Sequence, residues 1–262
     1  MSTHYVSRER LSRLAVELTE RDRRIVEMVA TLRLVSGRQI LRAHWPEASE
    51  ADARAARRTL VRLTRERVLA RLDRRVGGLG RGSEAWTYAL DTGGQRLLRA
   101  GHPRRPRLPS PAMWSHVLAG SEAYVRLVEA LRPSGRRLDV WQGEPACWRR
   151  FTGRHGERVV LKPDAFVRVM GGGFTDVAFV EIDTGSQSRA VIRAKLAAYR
   201  AYAAAGVEQA RHGVFPQVVF ITPHETRHAT LVDLVAEQPP QWWPLFAVGL
   251  TGDVGRLLGG VS

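Results

Sequence analysis

The chain has 262 residues, 44% apolar and 26% charged, a composition that supplies a core and excludes wholesale disorder. This length favours two compact units. A single cysteine, Cys147, excludes an internal disulfide and a zinc site built on several sulfurs.

Charge says more. Forty-one Lys+Arg oppose 26 Asp+Glu, a net +15, which points to a polyanionic partner, nucleic acid first and an anionic membrane surface second. Residues 1–109 hold 24 arginines against 12 acids, whereas residues 110–262 hold 17 basic and 14 acidic residues. Of the 41 basic residues 39 are arginine, as GC-rich coding favours, but that bias does not explain the excess over acids. No run approaches eighteen apolar residues, and the charged start MSTHYVSRERLSRLAVEL is unlike a signal peptide, so a cytoplasmic location is expected.

The first periodic stretch carries Ile25, Val26, Val29 and Leu32 after a Thr19/Asp22 capping signal, which predicts a helix over 20–33. Ser36 caps a short second helix with Ile40 and Leu41, ending near Trp45-Pro46. Residues 52–67 (DARAARRTLVRLTRER) form an amphipathic helix with Ala56, Leu60 and Leu63 inward. Arg54, Arg57, Arg58, Arg62 and Arg65 are spread outward and give it a cationic face. Val68 to Leu72 then reads as a strand, RRVGGLGRG as a basic loop and Ala85 to Leu90 as a second strand.

Three helices followed by a two-stranded ribbon with a basic tip resemble a winged helix, as does the closing Tyr88-Ala89-Leu90, Gly93/Gly94 and Leu97-Leu98. That resemblance implies double-stranded DNA as partner, with the third helix in the major groove and Arg74, Arg75 and Arg81 of the wing on phosphate. A solvated, merely arginine-rich helix is the alternative. The basic residues lack the Trp/Phe/Leu face of an interfacial helix, which argues against a membrane. Four prolines in 101–111 mark a semi-rigid linker, so the expected division is 1–100, linker 101–111 and 112–262.

The second half opens with a helix over 113–131. Three strands follow, Leu138 to Trp141, Ala165 to Val169 and Phe174 to Ile182, the last two joined by a turn at Gly171-Gly172-Gly173. A helix from Ser188 to Ala205 and a strand from Val218 to Thr222 complete an α/β layered domain, and the chain as a whole reads as α+β with α/β character. Alternation along DVAFVEID puts Val177, Phe179, Glu181 and Asp183 on one face, and Asp164 opens the neighbouring strand. Oxygen-rich sets of this type hold Mg²⁺ or Mn²⁺, which polarises a phosphodiester and activates water. The alternative gives Asp183 a capping role at Thr184-Gly185-Ser186 and pairs Glu181 with Arg193 or Arg189. The eight histidines show no close metal spacing except His224 and His228, better read as a loop or helix start, and Trp242-Trp243 reads as packing.

Lys162-Pro163-Asp164 and Glu181-Ile182-Asp183, in this order of elements, resemble the PD-(D/E)XK nuclease superfamily. Asp183 stands where that pattern has lysine, and Lys195 of the following helix is the candidate replacement; Lys162 and Lys195 are the only lysines of the chain. The resemblance implies a catalytic set of Asp164, Glu181, Asp183 and Lys195, with Asp164, Glu181 and Asp183 on the metal. A winged helix first, such a domain second and the string EIDTGSQSRAVIRAKLAAY together look like the replication-relaxation family of plasmids and integrated elements, over about 19–225. That family implies a role in DNA replication, relaxation or mobilisation; Mg-dependent nicking as an endodeoxyribonuclease is what the nuclease resemblance implies. The rival expectation is a regulator or accessory factor whose second domain forms a homodimer or recruits a relaxase or replication protein.

Overall fold

Three successive helices of the N-terminal half start at the same device, a Ser or Thr whose hydroxyl accepts from the third residue on while that residue's side chain accepts from the cap's own amide. Thr19/Asp22, Ser36/Gln39 and Ser49/Asp52 form these boxes, each contributing about 1 kcal/mol. The computed structural model describes residues 6–47, 49–72, 86–98 and 108–260. It divides into two compact units, Met1–Ser121 and Glu122–Ser262. Among the described residues no helix is long and apolar enough to cross a membrane. Arg74, Arg75 and Arg81, and residues 101–107 of the expected linker, lie outside the described residues.

The first unit runs α1 (Arg8–Glu17), α2 (Glu20–Leu32), β1 (Val35–Ser36), α3 (Gly37–His44), α4 (Glu50–Arg65), β2 (Leu69–Leu72), β3 (Thr87–Leu90) and α5 (Thr92–Leu98). The strands form a small antiparallel sheet in the order β1-β3-β2, with Val35 opposite Tyr88 and Leu69 opposite Leu90. Ile25, Val29, Leu34, Ile40, Leu63 and Leu69 are fully buried and make its core. Arg10 of α1 meets Glu66 after α4 at 2.9 Å. Arg67 clasps Asp91 through two nitrogens, at 2.8 and 3.0 Å, closing the ends of β2 and β3 onto each other. At Gly94 of α5 a Cβ would stand 2.3 Å from the Val68 carbonyl, so only glycine lets α5 return this close to the sheet. The first turns of α6 (Trp114–Leu131) belong here too: Ser121 donates to the Leu34 carbonyl at 2.6 Å, and Gln39 donates to that of Leu118 at 3.1 Å.

The second unit takes the rest of α6 and then β4 (Arg137–Gly143), β5 (Arg149–Thr152), β6 (Arg158–Leu161), β7 (Ala165–Gly171), β8 (Phe174–Ile182), α7 (Arg189–Ala204) and α8 (Val207–His212). It closes with β9 (Gln217–Thr222), α9 (Glu225–Ala236), β10 (Phe246–Leu250) and α10 (Val254–Gly259). Its main sheet has the order β10-β9-β8-β7-β4, antiparallel through β4, β7 and β8 and parallel from β8 to β10. β8 is therefore central, and its residues from Ala178 to Ile182 are all buried, the continuous apolar reading of a strand covered on both faces. Gly172 and Gly173, both at positive φ (63° and 80°), make the two-residue turn between β7 and β8. β5 and β6 form a separate ribbon. Phe179, Leu196, Tyr199, Tyr202, Val218 and Leu234 centre the core, against which Trp242 packs.

The fold is a mixed α+β arrangement, as the sequence implies. Sequence periodicity missed α1, β1, the β5–β6 ribbon, α8 and everything regular after Thr222, namely α9, β10 and α10.

Candidate functional site

The cationic face of α4 is real but narrower than its arginine count. Ala56, Leu60 and Leu63 are buried, and Arg54, Arg57, Arg58, Val61 and Arg65 are exposed. Arg62 leaves that set: its Nη2 donates at 2.6 Å to Asp22, whose own side chain is 2% exposed. Packing between elements decides this: α4 lies close enough to α2 for Arg62 to reach the buried acid 40 residues away. Arg54 is held only by exposed Glu50 at 3.2 Å and Arg65 by Glu66 at 3.6 Å, pairs worth little in water. Val61, at 60% exposure, is an apolar residue in the middle of this cationic stripe. Beside it a groove of about 170 Å³ is lined by Leu41, Arg57, Val61, Arg71, Trp86 and others, with the Arg71 guanidinium 4.2 Å above the Trp86 ring.

The acid cluster forms where β7 and β8 meet α7. The Asp164 amide donates to the Val180 carbonyl at 3.1 Å, and the Ile182 amide donates to the Asp164 carboxylate at 2.7 Å, which fixes this acid across the strand pair. Glu181 is 2% exposed. Its Oε2 accepts from Lys195 Nζ and its Oε1 from the Tyr199 hydroxyl at 2.7 Å, two donors one turn apart on α7. Burial pushes the Glu181 carboxyl up to about 7, and nearby Asp164 adds to the rise while Lys195 and Tyr199 oppose it. Burial would lower the Lys195 ammonium, but the attraction of Glu181 and Asp164 leaves it raised. Three of the four expected residues, Asp164, Glu181 and Lys195, are thus brought together.

Asp183 is engaged elsewhere. Arg227 of α9 holds both its oxygens, at 3.0 and 2.7 Å, and the Gly185 amide donates to Oδ1 at 2.7 Å. The last contact is a local turn rather than the helix cap expected of Asp183, since α7 is capped by Ser188, whose hydroxyl accepts from the Val191 amide. The alternative pairing of Glu181 with Arg189 or Arg193 does not form, because both arginines go to Glu237, at 3.1 and 2.7 Å. His224 stands at the N-cap of α9 and His228 in its first turn, where the His228 amide donates to the His224 carbonyl at 2.9 Å.

A divalent magnesium or manganese ion needs several free oxygens at short range. Both oxygens of Glu181 and both of Asp183 already accept hydrogen bonds, most from cationic side chains, and among the described residues no three His, Cys, Asp or Glu side chains form a metal-holding set. As arranged, the donor set does not fit such an ion; Lys195 and Arg227 supply the positive charge that a metal would bring. Cys147 sits beside the cluster with its thiol donating to the Pro163 carbonyl at 3.0 Å. Burial pushes that thiol up to about 12, so it is inert as a nucleophile.

Tyr199 and Arg227 are the functional neighbours that the sequence reading missed. Tyr199 stands four residues after Lys195 on α7, and helical spacing alone assigns it to the core rather than to the acid. Arg227 is 44 residues from Asp183 in sequence, and no local pattern connects them.

A family model described as replication-relaxation matches residues 26–218, from within α2 to the first residues of β9. No curated protein and no solved structure matches the chain.

Proposed function

The chain belongs to the replication-relaxation family, and from this premise we propose that it is a DNA-binding accessory factor of a plasmid or integrated element, acting in replication, relaxation or mobilisation. The single observation that carries the reading is the outward face of α4, where Arg54, Arg57, Arg58 and Arg65 surround exposed Val61 on a helix anchored by Ala56, Leu60 and Leu63. In this reading α2, α3 and α4 are the three helices of a winged helix and β2–β3 its ribbon. α4 enters the major groove of double-stranded DNA; its arginines meet guanine edges and phosphates, and Val61 meets a thymine methyl.

The second unit follows the order α6, β4, β7, β8, α7, β9, which supports a nuclease-like PD-(D/E)XK scaffold with β5–β6 inserted. The hold of Lys195, Tyr199 and Arg227 on its acids favours a scaffold that dimerises or recruits a relaxase or replication protein over one that nicks DNA. The convergence of Asp164, Glu181 and Lys195 is what supports the nickase reading.

The test is fluorescence anisotropy of the full chain on a duplex selected from random sequence and on random duplex. Arg57→Ala/Arg58→Ala should weaken the selected duplex by about 1–3 kcal/mol per lost base contact, more than random duplex. Equal loss on both, or none, defeats the assignment of α4 as reader.

A further inference from the structure

Among the described residues most arginines of the second unit pair with a carboxylate, Arg200 and Arg211 being exceptions outside the β5–β6 ribbon. Arg136 pairs with Asp176, Arg168 with Asp139, Arg227 with Asp183, and Arg189 and Arg193 with Glu237. Arg149 is inward too, 2.7 Å from buried Glu208, which also accepts from the Tyr202 hydroxyl at 2.6 Å.

The β5–β6 ribbon breaks this rule. Phe151 and Leu161 point into the core, which leaves Arg150, Thr152, Arg158 and Val160 on the outer face by alternation. Arg150 lies opposite Val160 and Thr152 opposite Arg158. Arg150 and Arg158 are therefore diagonal neighbours, about 7–8 Å apart. Arg154 is exposed in the connecting turn, and Lys162 is exposed immediately after β6, its ammonium 4.8 Å over the Trp148 ring. Arg150, Arg154 and Arg158 have no carboxylate partner among the described residues. The only acid of the ribbon, Glu157, is turned onto its own loop, where it accepts from the His155 amide at 2.9 Å.

We propose that this outer face is a second nucleic-acid contact, an arm on which Arg150, Arg154 and Arg158, with Lys162 at its base, grip the phosphodiester backbone of DNA. The chemistry that fits it is a row of phosphates: cations at ladder spacing, a hydroxyl at Thr152 between them and a single acid, Glu157, turned onto its own loop. An anionic lipid surface fits less well, because Val160, at 39% exposure, is the sole apolar side chain on the face and an interfacial element needs several. The choice of DNA as the polyanion rests on the reading of α4; the surface itself does not. Lys162 is followed directly by Pro163 and Asp164, so the base of the arm adjoins the acid cluster.

The experiment is the salt dependence of binding to random duplex DNA by the full chain. Each phosphate contact contributes about 0.9 to the slope of log K against log salt. Arg150→Ala/Arg154→Ala/Arg158→Ala should flatten the slope by about 2.7 in these units. The corresponding Arg→Lys variant should retain it, and Arg154→Ala alone, in an exposed turn, should flatten it by about 0.9. Arg189→Ala/Arg193→Ala, which removes two paired arginines, should change nothing. An unchanged slope in the triple alanine variant, with the loss confined to Arg57→Ala/Arg58→Ala, overturns the arm and leaves the α4 reading standing. The reverse pattern supports the arm and defeats α4. Binding to phosphatidylserine vesicles without binding to duplex overturns both.

Discussion

Arg62 and Asp22 join α4 to α2 through a 2.6 Å contact, and the same carboxylate accepts from the amide and hydroxyl of Thr19 at the start of α2. Asp22 is 1% exposed, so this arginine holds a buried charge rather than facing a partner. Arg62→Ala should destabilise the protein by about 3 kcal/mol in urea unfolding and leave the salt slope of DNA binding unchanged. A flatter slope with full stability would return Arg62 to the DNA face. Burial alone would raise the Asp22 carboxyl, but hydrogen bonds from Arg62 and Thr19 leave it lowered. Its contribution is therefore present above the ordinary aspartate range and lost as pH falls below it, and Asp22→Asn should remove that acid limb.

Glu181 has the opposite sign. Its folded carboxyl is raised from 4.5 to about 7, so the native state holds a proton that the unfolded chain releases. The resulting stability is fully present below about 4.5 and is lost as pH rises through about 7. Glu181→Gln keeps an acceptor for Tyr199 and removes the titration. Its melting temperature should therefore vary less than that of the wild type between pH 5 and 8, followed by circular dichroism. Parallel profiles for the two proteins would contradict this.

Millimolar Mg²⁺ or Mn²⁺ should leave the melting temperature unchanged, since a ligand stabilises only by binding the folded state and the donors here already have partners. Supercoiled plasmid should likewise stay intact. A rise that Asp164→Ala abolishes, accompanied by nicking, would restore the catalytic reading.

Gly94→Ala should cost about 1–3 kcal/mol, because its Cβ meets the Val68 backbone carbonyl rather than a side chain that can turn away. Gly172→Ala, with open space around its Cβ, meets only the strain of its positive φ, about 1 kcal/mol. Urea denaturation of both should give the larger loss at Gly94; the reverse order would contradict the close approach of α5.

What the sequence discloses depends on the range of the interaction. α2, α3 and α4 announce themselves because caps and apolar spacing are local, and their predicted limits fall within two residues or so of Glu20–Leu32, Gly37–His44 and Glu50–Arg65. Strand alternation likewise placed Glu181 on the Phe179 face, and the helical turn of α7 brought Lys195 to it. β5 and β6 were illegible because charged residues interrupt runs of only four residues each. The fate of Asp183 and of Arg62 was illegible for another reason: which carboxylate an arginine takes is decided by packing between elements, 44 residues apart in one case and 40 in the other.

Photo-crosslinking to duplex DNA containing 5-iododeoxyuridine tests the central claim most directly, because iodine replaces the thymine methyl and so reports from the major groove. With the full chain and a selected duplex, crosslinked peptides should map to α4, between Glu50 and Arg65, and Val61→Ala should reduce their yield. Crosslinks that fall outside α4, with none within it, would contradict the assignment of this helix as the element that reads DNA.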